Sequence, residues 1–269
     1  MPRVVAIIQA RMSSTRLPGK VLLDIDGQPM LARVVSRTSR AATVDEVIVA
    51  TTRDASDDPV SAFCGKLGVR HIRGSQEDVL DRYYQAASQA NTDVVVRITA
   101  DCPVIDPSLI DEVVNTLLGR SSTGSEEFDF AADRLPPPFT RSYPIGLDVE
   151  ACTFTGLETA WNEATAAFHR EHVVPFLYEG VELHPQNPLL ATGVSQRGFR
   201  IALLNHVPDY GAMRWTVDMP EDLDFVRQVY ARFGGRDDFS WKDVLSLVQS
   251  EPALAAINAA VRHKSLYDK

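Results

Sequence analysis

The chain has 269 residues, with 27 Lys+Arg against 36 Asp+Glu and a formal net charge of −9. That balance argues against a surface built to coat nucleic acid. At 45% hydrophobic and 23% charged residues, with no apolar run near the ~18 residues of a membrane span, it reads as a globular protein with a real core.

The charge is uneven. Residues 1–23 carry Arg3, Arg11, Arg16 and Lys20 and no acid, leaving 23 bases against 36 acids in the rest. The apolar run after Met1-Pro2-Arg3 is only five residues long, too short for a signal sequence, and reads as a buried strand. Cys64, Cys102 and Cys152 form neither a zinc pattern nor a disulfide framework, which fits a reducing cytoplasm.

In chain order, residues 4–9 read as a strand and 29–40 as a helix with Met30, Val34, Val35 and Thr38 at helical spacing. A strand over 46–51, a helix over 57–67 closed by Gly68 and a short strand over 69–72 follow. Then come a helix over 77–90, a strand over 93–98 and a helix over 107–118 closed by Gly119. Unbroken apolar strands between helices predict a mainly parallel sheet covered on both faces. Residues 119–127 are polar and Ser-rich, and 135–139 hold three consecutive prolines, so both read as surface connections. A strand over 145–151, helices over 155–166 and 170–179, and an antiparallel pair over 189–194 and 199–204 complete the middle of the chain. The helix over 220–233 has Asp218 as its expected cap, Pro220 in its first turn, and Glu221 and Asp222 behind it. One or two amphipathic helices follow from Ser240. The expected architecture is a single α/β domain over 1–235, with a mid-chain insertion at about 120–195, and a helical C-terminal extension over 236–269.

The stretch from Ala10 to Lys20 (ARMSSTRLPGK) lies at the C-terminal end of the first strand, where open α/β sheets bind ligands. Its three cations, three hydroxyls and Pro-Gly turn amides are the groups that neutralise and cradle a triphosphate. It is neither a P-loop nor a dinucleotide fingerprint, since the required glycines are absent. The bland reading is a solvated basic loop. Asp101, just past the fourth strand, can hold Mg²⁺ against a nucleotide phosphate or can be a plain turn residue, whereas Asp106 before Pro107 reads as a helix cap. Asp218 is open to both a capping and a metal role. His169 and His172, three apart, share a helix face without further metal ligands nearby. Residues 142–150 read as a sugar pocket or as a turn entering an edge strand, and Gly74-Ser75 as a helix cap.

Six segments carry a likeness: IIQARMSSTRLPGKVL, GSQEDVLDRYYQAA, RITADCPVIDPSLID, SYPIGLDVEACTF, REHVVPFLYE and RWTVDMPEDLDFV. In this order they resemble cytidylyltransferases that activate acidic sugars (the CMP-KDO and CMP-sialic acid synthetase group), and in particular the spore-coat polysaccharide biosynthesis branch. The resemblance implies a nucleotide-diphospho-sugar transferase (GT-A-like) three-layer fold with a mixed, mainly parallel sheet. It implies that Arg11, Arg16 and Lys20 hold the CTP phosphates with Ser13 and Ser14 assisting, and that Asp101 and Asp218 are the Mg²⁺ carboxylates. Arg16, Lys20 and Asp101 form the expected catalytic set. Ala10, Thr99, Gly74 and Ser75 complete the expected nucleotide contacts, and Thr99 stands where the better-known synthetases have a different residue. Arg141, Tyr143 and His169 are the expected acceptor contacts. The implied activity is CMP transfer from CTP to a small anionic acceptor (sugar acid, sugar phosphate or phosphonate) with release of pyrophosphate, in polysaccharide or specialised metabolite biosynthesis. A homodimer is implied, with neither nucleic acid nor membrane as a partner. A glycosyltransferase of the same fold and a non-catalytic nucleotide-binding scaffold are the alternatives.

Overall fold

A computed structural model describes residues 1–121 and 124–262. The polar stretch 119–127 is therefore described except for 122–123, and the expected extension only as far as 262. The strands, in chain order, are β1 (Val4–Gln9), β2 (Asp24–Ile25), β3 (Gln28–Pro29), β4 (Glu46–Thr52), β5 (Arg70–Gly74), β6 (Val94–Thr99), β7 (Phe130–Ala132), β8 (Glu150–Thr153), β9 (His184–Asn187), β10 (Leu190–Val194) and β11 (Arg200–Leu204). The helices are α1 (Met30–Thr38), α2 (Asp58–Leu67), α3 (Val79–Gln89), α4 (Pro107–Leu117), α5 (Phe154–Glu163), α6 (Ala167–His172), α7 (Pro175–Tyr178), α8 (Pro220–Arg232), α9 (Trp241–Ser250) and α10 (Pro252–Ala256).

Nine strands form one mixed sheet in the order β5-β4-β1-β6-β8-β7-β11-β10-β9. β1 lies parallel between β4 and β6, with Ala6 opposite Val47 on one side and Val96 on the other. The two-residue period of a strand explains why β1 is apolar throughout. Val4, Ala6 and Ile8 face one core with residues of α1, α4, α8 and α9, while Val5 and Ile7 face a second with residues of α3, α5 and α7. Each fully buried Ile contributes roughly 1.5–3 kcal/mol of transfer free energy. Because β1 connects outward to β4 while β6 lies on its other side, the chain reverses direction at the β1–β6 crevice, the usual ligand position in such sheets.

Several elements differ from expectation. The single helix expected over 170–179 is two, α6 and α7, because Val173 takes φ 72° and Pro175 cannot donate to a continuing turn. Of the strand expected over 145–151, only Glu150 and Ala151 pair with the sheet. Ile145 instead bridges Arg214, and Gly146 takes φ +107° where a Cβ would lie 2.4 Å from the Thr216 nitrogen. β7 and the small β2–β3 hairpin, turned by Asp26 and Gly27 at positive φ, were not expected from periodicity. Asp218 does not cap α8. Met219 is the N-cap, and the Asp222 carboxylate reaches back to the backbone nitrogens of Asp218 and Met219, both at 3.0 Å. With those donors satisfied by Asp222, the Asp218 carboxylate turns elsewhere. Asp106 does cap α4, accepting from the Ser108 nitrogen at 2.8 Å.

Candidate active site

The loop after β1 is shaped by its own backbone. The Met12 nitrogen donates to Asp57 Oδ1 at 2.6 Å, and the Gly19 nitrogen returns to the Met12 carbonyl at 2.9 Å. Gly19, at φ +70°, turns the chain so that Lys20 starts a short 3₁₀ turn and points inward, only 8% exposed. Across the crevice, the Asp101 carbonyl accepts from Thr216 Oγ1 at 3.0 Å and from the Val217 nitrogen at 2.9 Å. These bonds tie the turn after β6 to the segment entering α8 and bring the two aspartates together.

Lys20 lies between them. Its Nζ donates to Asp101 Oδ2 at 2.8 Å, Asp218 Oδ1 at 2.9 Å and the Val217 carbonyl at 2.7 Å. Arg16 also reaches Asp218 Oδ1 at 2.9 Å, and Arg214 Nη2 holds Asp218 Oδ2 at 2.9 Å. Burial works against the Lys20 ammonium, but the two carboxylates more than offset it and raise its pKa above the ordinary lysine value. Burial alone would raise Asp218, yet Lys20, Arg214 and Arg16 hold it below the ordinary aspartate value.

These groups rim a cavity of about 380 Å³ that Arg11, Ser13, Ser14, Arg16, Lys20, Thr99, Asp101 and Asp218 all help to line. Most of the residues expected at the site thus converge. A second cavity, of about 500 Å³, shares Gln9, Arg11, Arg97 and His172 with the first and adds Ala10, Gln76, Glu77 and Arg82. Gly74 ends β5, and the Ser75 hydroxyl accepts from the Glu77 and Asp78 nitrogens at 3.2 and 3.3 Å. These two residues set up the turn whose next members, Gln76 and Glu77, line the second cavity.

Arg97, Arg134, Asp148 and His172 form a further wall of the first cavity. Arg97 and Arg134 were not assigned from the sequence, whereas Asp148 lies in the 142–150 stretch and His172 was weighed only as a metal ligand. Arg97 and Glu150 are paired across β6 and β8, with Nη1 to Oε2 at 2.5 Å, while Arg97 Nη2 reaches Gln9 Oε1 at 3.1 Å. Burial pulls the Arg97 pKa down, but Glu150 and Tyr83 carry it above the ordinary arginine value. Arg134 lies 3.6 Å from Asp148 and 3.9 Å from Glu150. Burial, with Arg97 and Arg134 nearby, lowers the pKa of His172 despite Glu171, favouring the neutral imidazole.

The three expected acceptor residues are spread more widely. Arg141 forms a two-bond pair with Asp148, so it touches the wall through that carboxylate. Tyr143 is 3% exposed and packs edge-on against Trp241 and His206. His169 lines a separate apolar hollow of about 500 Å³ with Pro136–Phe139 and Tyr178. His169 and His172 line different cavities, and among the described residues no group of three or more His, Cys, Asp or Glu side chains is placed to hold a metal. Asp101 and Asp218 already share one cation, the Lys20 ammonium, with an oxygen of each within 3 Å of its nitrogen. A metal held by the pair would share these oxygens with Lys20 or take its place. Phosphate and water oxygens commonly complete such a two-carboxylate set.

The site is thus a rim of clustered cations facing two aspartates, set at the parallel β4-β1-β6 part of a mixed α/β sheet. Residues 5–233 match the family model described as cytidylyltransferase, and the chain belongs to that family of nucleotidyltransferases. An uncharacterized protein of Methanocaldococcus jannaschii is 33% identical over 98% of this chain and 97% of its own. The spore coat polysaccharide biosynthesis protein SpsF of Bacillus subtilis is 30% identical over 95% of this chain and 98% of its own. A solved cytidylyltransferase structure from Leptospira borgpetersenii superposes with a TM-score of 0.81 at 28% identity, over 98% of this chain and 100% of that one.

Proposed function

We propose that the chain transfers CMP from CTP to a small anionic acceptor (a sugar acid, sugar phosphate or phosphonate) and releases pyrophosphate. The observation that carries this reading is the meeting of Lys20, Asp101 and Asp218 on the floor of a cavity rimmed by Arg11 and Arg16. An acceptor oxygen attacks the α-phosphorus and forms the new P–O bond while the bond to pyrophosphate breaks. Arg16 and Lys20 neutralise charge gathering on the leaving group, so the work is positioning and electrostatics without a covalent protein intermediate. Asp101 and Asp218 would hold Mg²⁺, which when bound adds positive charge at the α-phosphate.

The second cavity, with Gln76, Glu77 and Arg82, takes the nucleoside, and the Arg97–Arg134–His172 wall takes the acceptor. The setting is a reducing cytoplasm, in polysaccharide or specialised metabolite biosynthesis. With Mg²⁺ present, CTP is expected to raise the melting temperature more than UTP, GTP or ATP, and pyrophosphate is expected to appear only when a suitable acceptor is added. Sugar transfer from a nucleotide sugar without pyrophosphate would overturn the reading in favour of a glycosyltransferase. CTP stabilisation with no turnover across an acceptor panel would favour a scaffold.

A homodimer through residues 135–195 belongs to the same proposal, supported by the apolar hollow between Pro136–Phe139 and Tyr178–Val181. Sedimentation velocity is expected to show a dimer at micromolar concentration. A monomer at every concentration tested would remove this part.

A further inference from the structure

The family match stops at residue 233, yet the chain beyond it returns to the active site. α9 is anchored where the Trp241 nitrogen donates to Asp106 Oδ2 at 2.6 Å, and α10 is pinned by Leu254, 2% exposed. Just past α10 comes Asn258, 5% exposed. Its Nδ2 donates to the Arg214 carbonyl at 3.0 Å and to Asp222 Oδ1 at 2.9 Å, so both amide hydrogens are engaged.

Asp222 is fully buried and collects donors from several directions. Arg214 Nε reaches Oδ1 and Arg214 Nη2 reaches Oδ2, both at 2.9 Å, and the backbone nitrogens of Asp218 and Met219 also reach Oδ2. The same Arg214 Nη2 holds Asp218 Oδ2 at 2.9 Å. Asn258 therefore grips Arg214 at its main chain and, through Asp222, at its guanidinium. That guanidinium fixes the carboxylate which faces Lys20. A buried amide is costly unless hydrogen-bonded, and here both of its donor bonds go to this one network.

We infer that Asn258 is a positioning residue for Asp218, acting through Asp222 and Arg214, so that the segment beyond the family-matched region completes the active site. The inference rests on the reading of Asp218 as an active-site carboxylate. Partners of this kind typically change metal affinity or activity by roughly tenfold to a hundredfold when removed, and Asn258→Ala is expected to lower kcat/KM for CTP-dependent pyrophosphate release by that amount. Leu254→Ala loses packing in the same segment without touching the hydrogen bonds. It is expected to melt earlier while keeping its kcat/KM at temperatures well below its midpoint.

The independent readout is solvent exchange of the Arg214 Nε–H, followed by ¹⁵N NMR. Exchange is expected to be slow in the unaltered chain and faster in Asn258→Ala, with the backbone amides of β1 still protected. Unchanged exchange in Asn258→Ala overturns the inference, as does an equal loss of kcat/KM in Leu254→Ala. Faster exchange in a chain that releases no pyrophosphate with any acceptor would leave the positioning role standing and overturn the proposed function instead.

Discussion

Asp101→Asn is expected to remove turnover while leaving the fold in place. The amide matches the carboxylate in shape but carries no charge, so Lys20 loses one of its two anionic partners and the proposed metal would lose a charged oxygen ligand. The loss in kcat is expected to exceed the roughly tenfold to hundredfold typical of a residue that only supports a metal ligand, because on the proposed reading Asp101 holds the metal itself. Stability should suffer little, because Lys20 keeps Asp218 and the Val217 carbonyl, and the Asp101 side chain is 27% exposed. A loss of about 1–2 kcal/mol is expected once the pair is discounted for solvent screening. The checks are steady-state pyrophosphate release and a denaturant melt of the same preparation. Near-normal turnover would refute the metal assignment, and a collapsed melt would show that Asp101 is structural first.

Glu150→Ala is expected to act in the opposite way, on stability before chemistry. Arg97 cannot shed its charge, and the substitution leaves its guanidinium buried beside Gln9 with its principal anion gone. Breaking a buried ion pair from one side costs about 3–5 kcal/mol, which in a chain of this size lowers the melting temperature by roughly 10 °C. The double variant Arg97→Met/Glu150→Leu removes both charges and is expected to recover most of that stability. If Arg97 belongs to the acceptor wall, the double variant stays inactive despite its restored melt. A Glu150→Ala melt indistinguishable from the unaltered chain would show that the pair is not the anchor of this wall.

The strands around the crevice were legible because β1, β4 and β6 are largely buried on both faces and so read as near-continuous, β-branched-rich apolar runs. The basic loop was legible because three cations directly after such a strand have no structural work to do in the core. Asp218 was only half legible. A carboxylate two residues before a Pro at the first helical position looks like a cap, and only the structure shows Asp222 taking that work from inside the helix. The Arg97–Glu150 wall could not be read, because it exists only through the antiparallel pairing of β6 with β8, 53 residues apart. β7 was missed because three residues are too few for a period to show. The β2–β3 hairpin did carry a signal: Asp26-Gly27 is a favoured dipeptide for a tight turn between paired strands. Asn258 carried none, since a lone amide in a tail has no local pattern that predicts burial.

The segment before α8 is gripped from both sides by main-chain bonds. On one side the Ile145 carbonyl accepts from the Trp215 and Thr216 nitrogens at 2.7 and 3.0 Å; on the other the Asp101 carbonyl accepts from the Val217 nitrogen. Bonds between backbone atoms are indifferent to the side chains they pass beneath. Replacing Arg134, Asp148 or His172, the proposed acceptor wall, is therefore expected to leave the spacing of Asp101 and Asp218 alone. On the proposed assignment, acceptor choice and phosphate chemistry would be separately adjustable, with the seam at residues 213–218 as the fixed gauge between them.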